Sequence, residues 1–378
     1  MKSSCIPARF LLAITMFALA SLAPAQSSPA PAGPYKIVQK TQLMGTGRID
    51  YVTADSVNRR LYVPRGNSVL TFDLDSLEPL TPIPGLMGGH GVAIDTVSGH
   101  AFSSSMPVIM WDARTLKTIK TIAVQGRPDG ILFEPYTERI YVLSHQPPNV
   151  TVLDGKDGSI VGTIDLGAAP EQAASDGNGN VYVDLEDKDS IGVVDAKALK
   201  VTGTYGLSGK GGGPGGLGLD AKNHILFAFC HQPAVAVILS AVDGKLLTML
   251  PIGNGTDGGG FNPNTMEAFS SQGDGTLTII KESSPTSFAV EQTVQTTPRA
   301  KTCTLDTKKD HIIVIATERP APSPGAPPAA VVATSPVAAP MPSVSGSTGE
   351  LGRPGRGGPG GWRGYSGPAM LHILVVGQ

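Results

Sequence analysis

The sequence predicts an all-β protein: a seven-bladed β-propeller closed by pairing of an N-terminal strand with the C-terminal strand of blade seven. Three observations predict it. A four-strand pattern recurs seven times, the recurrences are evenly spaced, and the two ends of the chain supply strands that complete the last copy. Repeats of roughly 40–45 residues with four strands each are typical of propeller blades, which must stack because a single blade cannot bury both of its faces.

The even spacing is measured on one position, the polar residue that closes the first strand of each copy. This position holds Asp55, Asp95, Glu134, Asp176, Asp220, Asn262 and Asp306. Successive separations are 40, 39, 42, 44, 42 and 44 residues. The second strands read RLYV, HAFS, RIYV, NVYV, ILFA, EAFS and HIIV, and most third strands end in an Asp that can open a turn.

The chain ends complete the seventh copy. After Asp306 come HIIVIAT, a long Pro- and Gly-rich segment and MLHILVVGQ, which together supply only three strands. The stretch YKIVQKTQL, residues 35–43, belongs to no other copy. We expect it to pair with the C-terminal strand, because this closes the ring and leaves neither chain end as an open sheet edge.

The first 25 residues have the pattern of an export signal. Lys2 and Arg9 precede an apolar run from Phe10 to Ala23, and small residues follow at Ala23-Pro24-Ala25. The alternative is a retained membrane anchor. The predicted organisation is a signal peptide over 1–25, a disordered linker over 26–33 and a propeller over 34–378 in a periplasmic or secreted protein. After signal cleavage we expect no transmembrane segment and a monomer.

The Pro- and Gly-rich segment, residues 319–369, is predicted to be a disordered insertion in blade seven. It joins strands two and three, so it should leave the blade on the same face as the turns that lead into the first strands. It is either a mobile flap or partner-docking arm over the channel, or a tolerated surface insertion. Its arginines Arg353, Arg356 and Arg363, near Trp362 and Tyr365, could contact nucleic acid. With 29 Lys+Arg against 31 Asp+Glu the whole chain gives no electrostatic reason to expect that partner.

Candidate site residues lie five positions before the measured position of each copy: Asp50, His90, Asp129, Glu171, Gly215, Asp257 and Lys301. We call this ring the channel mouth, because first strands are innermost in a propeller and equivalent turns converge on the axis. The predicted binding residues are Asp50, His90, Asp129, Glu171, Asp257 and Lys301. The predicted metal ligands are Asp50, Asp129, Glu171 and Asp257.

Converging carboxylates with one imidazole suit Ca²⁺ or another divalent cation. Two alternatives remain open. Lys301 could neutralise the acids by pairing, or the side chains could simply satisfy backbone groups and channel waters. His145 and His231 follow second strands on the same face, where loop histidines more often face solvent than bind ligands.

These repeats resemble the YVTN-type repeats of YncE-like exported propellers. The matching text is RIYVLSHQPPNVTVLDGKDGSIVGTIDLG, ASDGNGNVYVDLEDKDSIGVVDAKALKV and FNPNTMEAFSSQGDGTLTIIKE. The resemblance implies a binding protein, with DNA binding in one branch of the family, and it implies Asn where this chain has Asp184. A competing likeness to WD repeats appears in GGHGVAID and MWDARTL. It occurs in one copy of seven, so we expect Trp111 to fill an apolar core slot.

The sequence therefore predicts an exported recognition scaffold that binds a small molecule or protein at the channel mouth. It contains no nucleophile-elbow pattern, no His-Glu-x-x-His pair and no haem-attachment pair of cysteines. The alternative function is a metal-dependent hydrolase of the lactonase type, because gluconolactonase-like propellers hold one catalytic cation in the channel. Cys230 and Cys303, the cysteines that follow the predicted signal, are either two buried thiols or one bridge.

Overall fold

Seven antiparallel four-stranded sheets surround a central channel. The computed structural model describes residues 33–300, 302–319 and 367–378. Within these residues the sheets follow one another in chain order as the seven blades, and the first strand of each blade lies innermost. The predicted all-β, seven-bladed architecture is confirmed.

The strands are grouped by their position in the blade. The innermost strands of blades one to seven are β2 (Thr53–Asp55), β6 (Val92–Asp95), β10 (Pro128–Glu134), β14 (Pro170–Ser175), β18 (Pro214–Asp220), β22 (Thr256–Asn262) and β26 (Thr302–Asp306). The second strands are β3 (Arg60–Arg65), β7 (His100–Ser103), β11 (Arg139–Ser144), β15 (Asn180–Leu185), β19 (Ile225–Cys230), β23 (Glu267–Gln272) and β27 (His311–Glu318). The third strands are β4 (Ser68–Asp73), β8 (Val108–Asp112), β12 (Val150–Asp154), β16 (Ser190–Asp195), β20 (Val235–Ser240), β24 (Thr276–Ser284) and β28 (Ala369–Gly377). The outermost strands are β5 (Ile83–Pro84), β9 (Thr118–Ile122), β13 (Ile160–Ile164), β17 (Lys200–Gly206), β21 (Leu246–Pro251), β25 (Ser287–Gln295) and β1 (Lys36–Gly45). The described residues add one short 3₁₀ helix, Glu186–Lys188, directly after β15.

The repeated polar residue at the end of each innermost strand has a structural role. Its buried side chain accepts hydrogen bonds from backbone N–H groups of the turn that follows. Asp55 accepts from Val57 at 3.0 Å and Asn58 at 2.9 Å, and Glu134 accepts from Tyr136 at 2.9 Å. The same bonding recurs at Asp95, Asp176, Asp220, Asn262 and Asp306. The residue recurs at an even spacing because each blade needs this turn to be capped.

The core consists of seven apolar clusters, and each lies between two neighbouring blades. Between blades one and two, the fully buried Trp111 packs edge-to-face on Tyr62 with ring centroids 5.7 Å apart. Trp111 therefore occupies a core slot, as the repeat logic predicts. Cys230 and Cys303 are both buried and free, which settles their state in favour of two thiols.

The ring closes through the two chain ends. β1 pairs antiparallel with β28 along its length, from Lys36 opposite Gly377 to Gly45 opposite Ala369. The buried guanidinium of Arg65 donates to the carbonyl oxygens of Gly45 at 2.8 Å and Ala369 at 2.7 Å, so blade one holds both closing strands. The predicted pairing of the ends is confirmed.

Several predicted features lie outside the described residues: the signal peptide, most of the linker, Lys301 and residues 320–366, which include Arg353, Arg356 and Arg363. Across the described ranges, no helix has the length and apolar character needed to cross a membrane.

Candidate functional site

Four of the predicted mouth residues come together on blades one to four. The His90 Nδ1 atom lies 2.6 Å from Asp50 Oδ2 and 3.2 Å from Asp129 Oδ1. The His145 Nε2 atom lies 3.0 Å from Asp129 Oδ2 and 3.2 Å from Glu171 Oε1. Asp50, His90, Asp129, His145 and Glu171 thus form one continuous series, which we call the acid–imidazole chain.

Local backbone irregularity aims the mouth residues inward. In blades three to six the pairing of the first and second strands shifts register at the start of the first strand. Asp129, Glu171, Gly215 and Asp257 all fall inside these shifts. A β-bulge turns a side chain away from the regular alternation of a strand. The bulge therefore explains why, in blades three to six, the residue five before the capping residue faces the mouth.

Gly130 allows the two central acids to approach each other. A Cβ atom at this position would collide with the backbone carbonyl oxygen of Glu171 on the neighbouring innermost strand. The absence of a side chain lets β10 and β14 lie close together. Asp129 and Glu171 are then near enough to share the His145 imidazole.

His145 belongs to the acid–imidazole chain, although it is not among the candidate site residues predicted from the sequence. It follows β11 directly, its backbone N–H donates to the Arg127 carbonyl at 3.3 Å, and its side chain is 26% exposed. Glu186 and His231 hold the equivalent position after β15 and β19. These three residues lie 11, 10 and 11 positions after the capping residue of their blades. Counting forward as well as backward from that residue would have found this second set.

Blades five and six form a different wall, made of Gly215, Gly216, Gly218, Gly258, Gly259 and Gly260, which we call the glycine wall. A Cβ on Gly216 would lie 2.7 Å from the carbonyl carbon of Gly258, so β18 and β22 pack backbone against backbone. At the mouth position itself, the space beside Gly215 is taken by His231, whose Nε2 would lie 2.8 Å from a Cβ there. Asp257 is half-buried on this side, and its charge contributes to raising the pKa of Tyr51.

Gln172 crosses from the acidic side to the glycine wall. Its Nε2 donates to the Gly259 carbonyl at 2.8 Å, and its Oε1 accepts from the N–H groups of Leu217 and Gly259 at 3.1 Å each. Below the mouth lies a cavity of about 340 Å³ lined in part by Tyr51, Gly130, Gln172 and Gly259. The channel therefore continues below the polar mouth as a cavity.

The acid–imidazole chain has strongly perturbed protonation. Asp129 and Glu171 raise the pKa of His145 to about 10, against the lowering effect of burial. Burial lowers the pKa of His90, but Asp129 and Asp50 outweigh it and raise that pKa to about 10. Burial disfavours the charged form of Asp129, yet the two imidazoles hold its pKa well below the ordinary range. At neutral pH two protonated imidazoles, His90 and His145, therefore flank the ionised Asp129.

Two further acids behind the mouth have pKa values that are shifted in the opposite direction, upwards. Asp184 is fully buried, neither carboxyl oxygen has a hydrogen-bond partner, and burial raises its pKa well above the usual value. Burial, with a smaller contribution from Glu171, raises the pKa of Glu186. Perturbed carboxyl groups in a cleft are typical of functional sites.

Two sets of donor atoms are near enough to one another to hold a cation. They are Asp50, His90 and Asp129, and Asp129, His145 and Glu171; within each set the donor atoms lie within 4.8 Å. Both sets include a histidine nitrogen that the sequence-based list of metal ligands left out. Asp257, which that list included, belongs to neither set, and Lys301 is outside the described residues.

The comparisons with known proteins bear on the fold. No family model matches the chain, and no curated protein matches it. A structure of U3-55K matches with a TM-score of 0.60 at 13% identity, covering 72% of this chain and 90% of that one. The RRP9 WD40 repeats match with a TM-score of 0.60 at 12% identity, covering 88% and 97%. A chain of a mitotic checkpoint complex matches with a TM-score of 0.63 at 12% identity, covering 80% and 96%. The chain shares its β-propeller fold with WD40-repeat proteins. At these identities the likeness extends to the fold and not to a function.

Proposed function

We propose that this protein is an exported propeller of the YVTN type that acts as a recognition scaffold and binds its ligand at the channel mouth. The observation that carries the proposal is the acid–imidazole chain, which gathers charged groups from four blades above an internal cavity of about 340 Å³. A concave site with a few convergent polar groups is the usual form of a binding site.

The charge of the mouth favours a ligand with a cationic or metal-bearing group. Asp50, Asp129 and Glu171 contribute three carboxylates, while His90 and His145 contribute two imidazoles, and Asp257 lies on the same mouth. Acidic groups in a low-dielectric cleft attract positive charge from solution. The ligand would approach from the side where residues 319–369 leave blade seven, so that segment is the natural candidate for an arm that contacts the partner.

Export and family membership rest on the sequence. The n-region, apolar run and small residues of the first 25 positions favour export to the periplasm or the medium. The repeated RIYV-like strands and capped turns favour the YVTN type. Detection of the mature N-terminus near Gln26 in protein recovered from the periplasm or medium would support export, whereas an intact Met1 on recovered protein would contradict it.

A thermal-shift screen of small molecules and metal ions tests the binding proposal. The wild-type protein is compared with a mouth triple variant, Asp50→Asn, Asp129→Asn and Glu171→Gln, and with a control triple variant of exposed acids, Asp75→Asn, Glu78→Gln and Asp157→Asn. Ligands that raise the Tm of the wild type should also raise the Tm of the control variant, and they should leave the Tm of the mouth variant unchanged. Equal shifts in all three proteins would overturn the proposal.

A metal-dependent hydrolase is the second candidate, because the Asp129, His145 and Glu171 donor set supplies only three protein ligands. Catalytic metal sites keep open positions for water and substrate. Lactone hydrolysis that appears on addition of a divalent ion, and disappears in Asp129→Asn, would favour the enzyme. Saturable ligand binding without such turnover would favour the scaffold.

A further inference from the structure

We propose that the channel mouth holds one divalent first-row transition-metal ion, bound by Asp129 Oδ2, His145 Nε2 and Glu171 Oε1. This inference rests on the proposed function, since it takes the channel mouth as the binding site and names part of the ligand. The three side chains come from blades three and four, and they meet because Gly130 allows the two innermost strands to approach.

The two nitrogen–oxygen distances fit a shared ion, and all three donor atoms lie within 4.8 Å of one another. His145 Nε2 lies 3.0 Å from Asp129 Oδ2 and 3.2 Å from Glu171 Oε1. Nitrogen and oxygen ligands bind such ions at about 2.0–2.2 Å. When the ligand–metal–ligand angle lies between a right angle and the tetrahedral angle, the two ligand atoms are about 2.9–3.4 Å apart. Hydrogen bonds have similar lengths, so the direction of the nitrogen must decide between the two interactions.

The direction of the His145 nitrogen favours a shared ion over a simple hydrogen-bonded pair. His145 Nε2 is buried, and it makes no aligned hydrogen bond with either carboxylate despite the short distances. His90 provides the internal comparison, because its Nδ1 makes an aligned hydrogen bond with Asp50 Oδ2 at 2.6 Å. A buried nitrogen this close to two carboxylates without an aligned hydrogen bond to either is rare and requires an explanation. An ion between the nitrogen and the two acids would displace the imidazole proton to solvent and satisfy all three groups.

Outer partners occupy the remaining oxygens of both acids. Asp129 Oδ1 lies 3.2 Å from His90 Nδ1, and the Tyr51 hydroxyl donates to Glu171 Oε2 at 3.2 Å. Asp50 in turn holds His90. Each acid therefore offers one oxygen to the ion while the other is fixed from behind. Such contacts behind the ligands, an ion pair for Asp129 and a hydrogen bond for Glu171, orient the ligands of protein metal sites.

The donor set selects the class of ion. Imidazole nitrogen suits Zn²⁺, Fe²⁺, Ni²⁺ or Cu²⁺, and two carboxylates extend the set to Mn²⁺. Calcium usually takes six to eight oxygen ligands, and magnesium retains several waters. One nitrogen and two oxygens therefore favour a transition ion with open positions. Those positions face the mouth, where a coordinating group of the ligand would complete the shell.

Titration with Mn²⁺ tests the site on the full-length protein after treatment with a chelator. The electron paramagnetic resonance signal of free Mn²⁺ gives the stoichiometry and Kd, and calorimetry with Zn²⁺ repeats the measurement. We expect one ion per chain. His145→Gln, Asp129→Asn and Glu171→Gln should each weaken binding by at least about 100-fold, and His90→Gln, which removes an outer partner, by about tenfold.

Two controls match these variants. His224→Asn and Glu78→Gln replace an exposed histidine and an exposed acid far from the mouth, and each should bind Mn²⁺ as the wild type does. Circular dichroism spectra and Tm values establish that the variants are folded; Glu171→Gln, at a half-buried position, is the conservative variant on which the result rests if Asp129→Asn unfolds. Water proton relaxation by bound Mn²⁺ should show that the ion retains exchangeable water.

The outcomes separate this inference from the proposed function. Absence of saturable binding of both Mn²⁺ and Zn²⁺, or binding that His145→Gln and Glu171→Gln leave unchanged, would overturn the metal site. If ligands from the thermal-shift screen still lose binding in the mouth triple variant, the recognition function stands without the ion. If metal binds as expected but the mouth triple variant still binds those ligands, the recognition function fails and the metal site stands.

Discussion

The channel mouth has two halves that follow the same repeat and contain opposite kinds of residue. Blades one to four supply Asp50, His90, Asp129 and Glu171, whereas blades five and six present the glycine wall. Blades three and four of the first half and blades five and six of the second share the same bulge at the start of the innermost strand. In blades three and four the bulge holds Asp129 and Glu171, whereas in blades five and six the glycines beside Asp257 let two backbones touch. The fold therefore provides equivalent positions, and the residue at each position decides whether it becomes a site or a packing surface.

The two halves also differ in what stabilises them. In the charged half, acids tolerate close approach because imidazoles lie between them. In the glycine wall, β18 and β22 are stabilised by backbone packing, and Gln172 ties them to blade four with three hydrogen bonds. Substitutions in the two halves should therefore destabilise the protein for different physical reasons.

The largest effect is expected for Asp129→Ala in the charged half. The change leaves the two imidazoles that flank Asp129 without their shared counter-charge, which should lower the free energy of unfolding by about 4 kcal/mol. Guanidinium denaturation at pH 7 measures the change. Asp157→Ala, at an exposed acid, is the control and should leave the free energy of unfolding nearly unchanged. A loss for Asp129→Ala no larger than that of the control would mean that the chain of charges contributes nothing to stability.

The next largest effect is expected for Gly216→Val in the glycine wall. Its Cβ would lie 2.7 Å from the Gly258 backbone, so β18 and β22 must separate at a cost of about 3 kcal/mol. Gly206→Val is the matched control, because a Cβ there has nothing within 4 Å and the residue lies in the outermost strand β17. It should change stability by less than about 0.5 kcal/mol. Equal effects at the two sites would contradict the close packing of the wall.

The charged half should also give stability a dependence on pH. His90 and His145 have pKa values of about 10 in the folded state against 6.5 in the unfolded state. The pairing that raises the imidazole pKa stabilises the folded state fully below pH 6.5. This contribution is lost as the pH rises towards 10 and the imidazoles lose their protons. In chelator, the wild type should therefore lose about 2 kcal/mol more than the His90→Gln, His145→Gln double variant between pH 6.5 and 10. Parallel pH profiles would contradict the ion pairing.

The smallest effect is expected behind the mouth, at Asp184. Its raised pKa means that the folded state resists ionisation, so wild-type stability falls as the pH rises above the unfolded value of 3.8. Asp184→Asn removes this penalty, and its advantage over the wild type should grow from pH 4 to pH 8 by at least about 1 kcal/mol. The exposed Asp187→Asn should show no such growth. An advantage that does not change with pH would mean that Asp184 ionises freely in the fold.

The sequence predicted the fold well because each blade repeats its own local chemistry. The capping residue, the Asp that ends most third strands and the strand at 35–43 could be identified from spacing and chain ends alone. The convergence of Asp50, His90, Asp129 and Glu171 followed from the same spacing. These inferences need only the order of strands, which the repeat makes visible.

The rest of the site could not be predicted, because it depends on distances between blades. Placing His145 between Asp129 and Glu171 requires the approach of β10 and β14 that Gly130 permits. The bridge made by Gln172 depends on a side chain that reaches two other blades. The burial of Asp184 without a partner is likewise a property of packing, since its neighbour Asp187 on the same segment is exposed.

Anomalous diffraction from crystals grown with Mn²⁺ tests the central claim most directly. The account predicts one strong anomalous peak at the charged half of the channel mouth, within about 2.3 Å of Asp129 Oδ2, His145 Nε2 and Glu171 Oε1. A map without a peak there at saturating Mn²⁺, or with its main peak at the glycine wall, would contradict it.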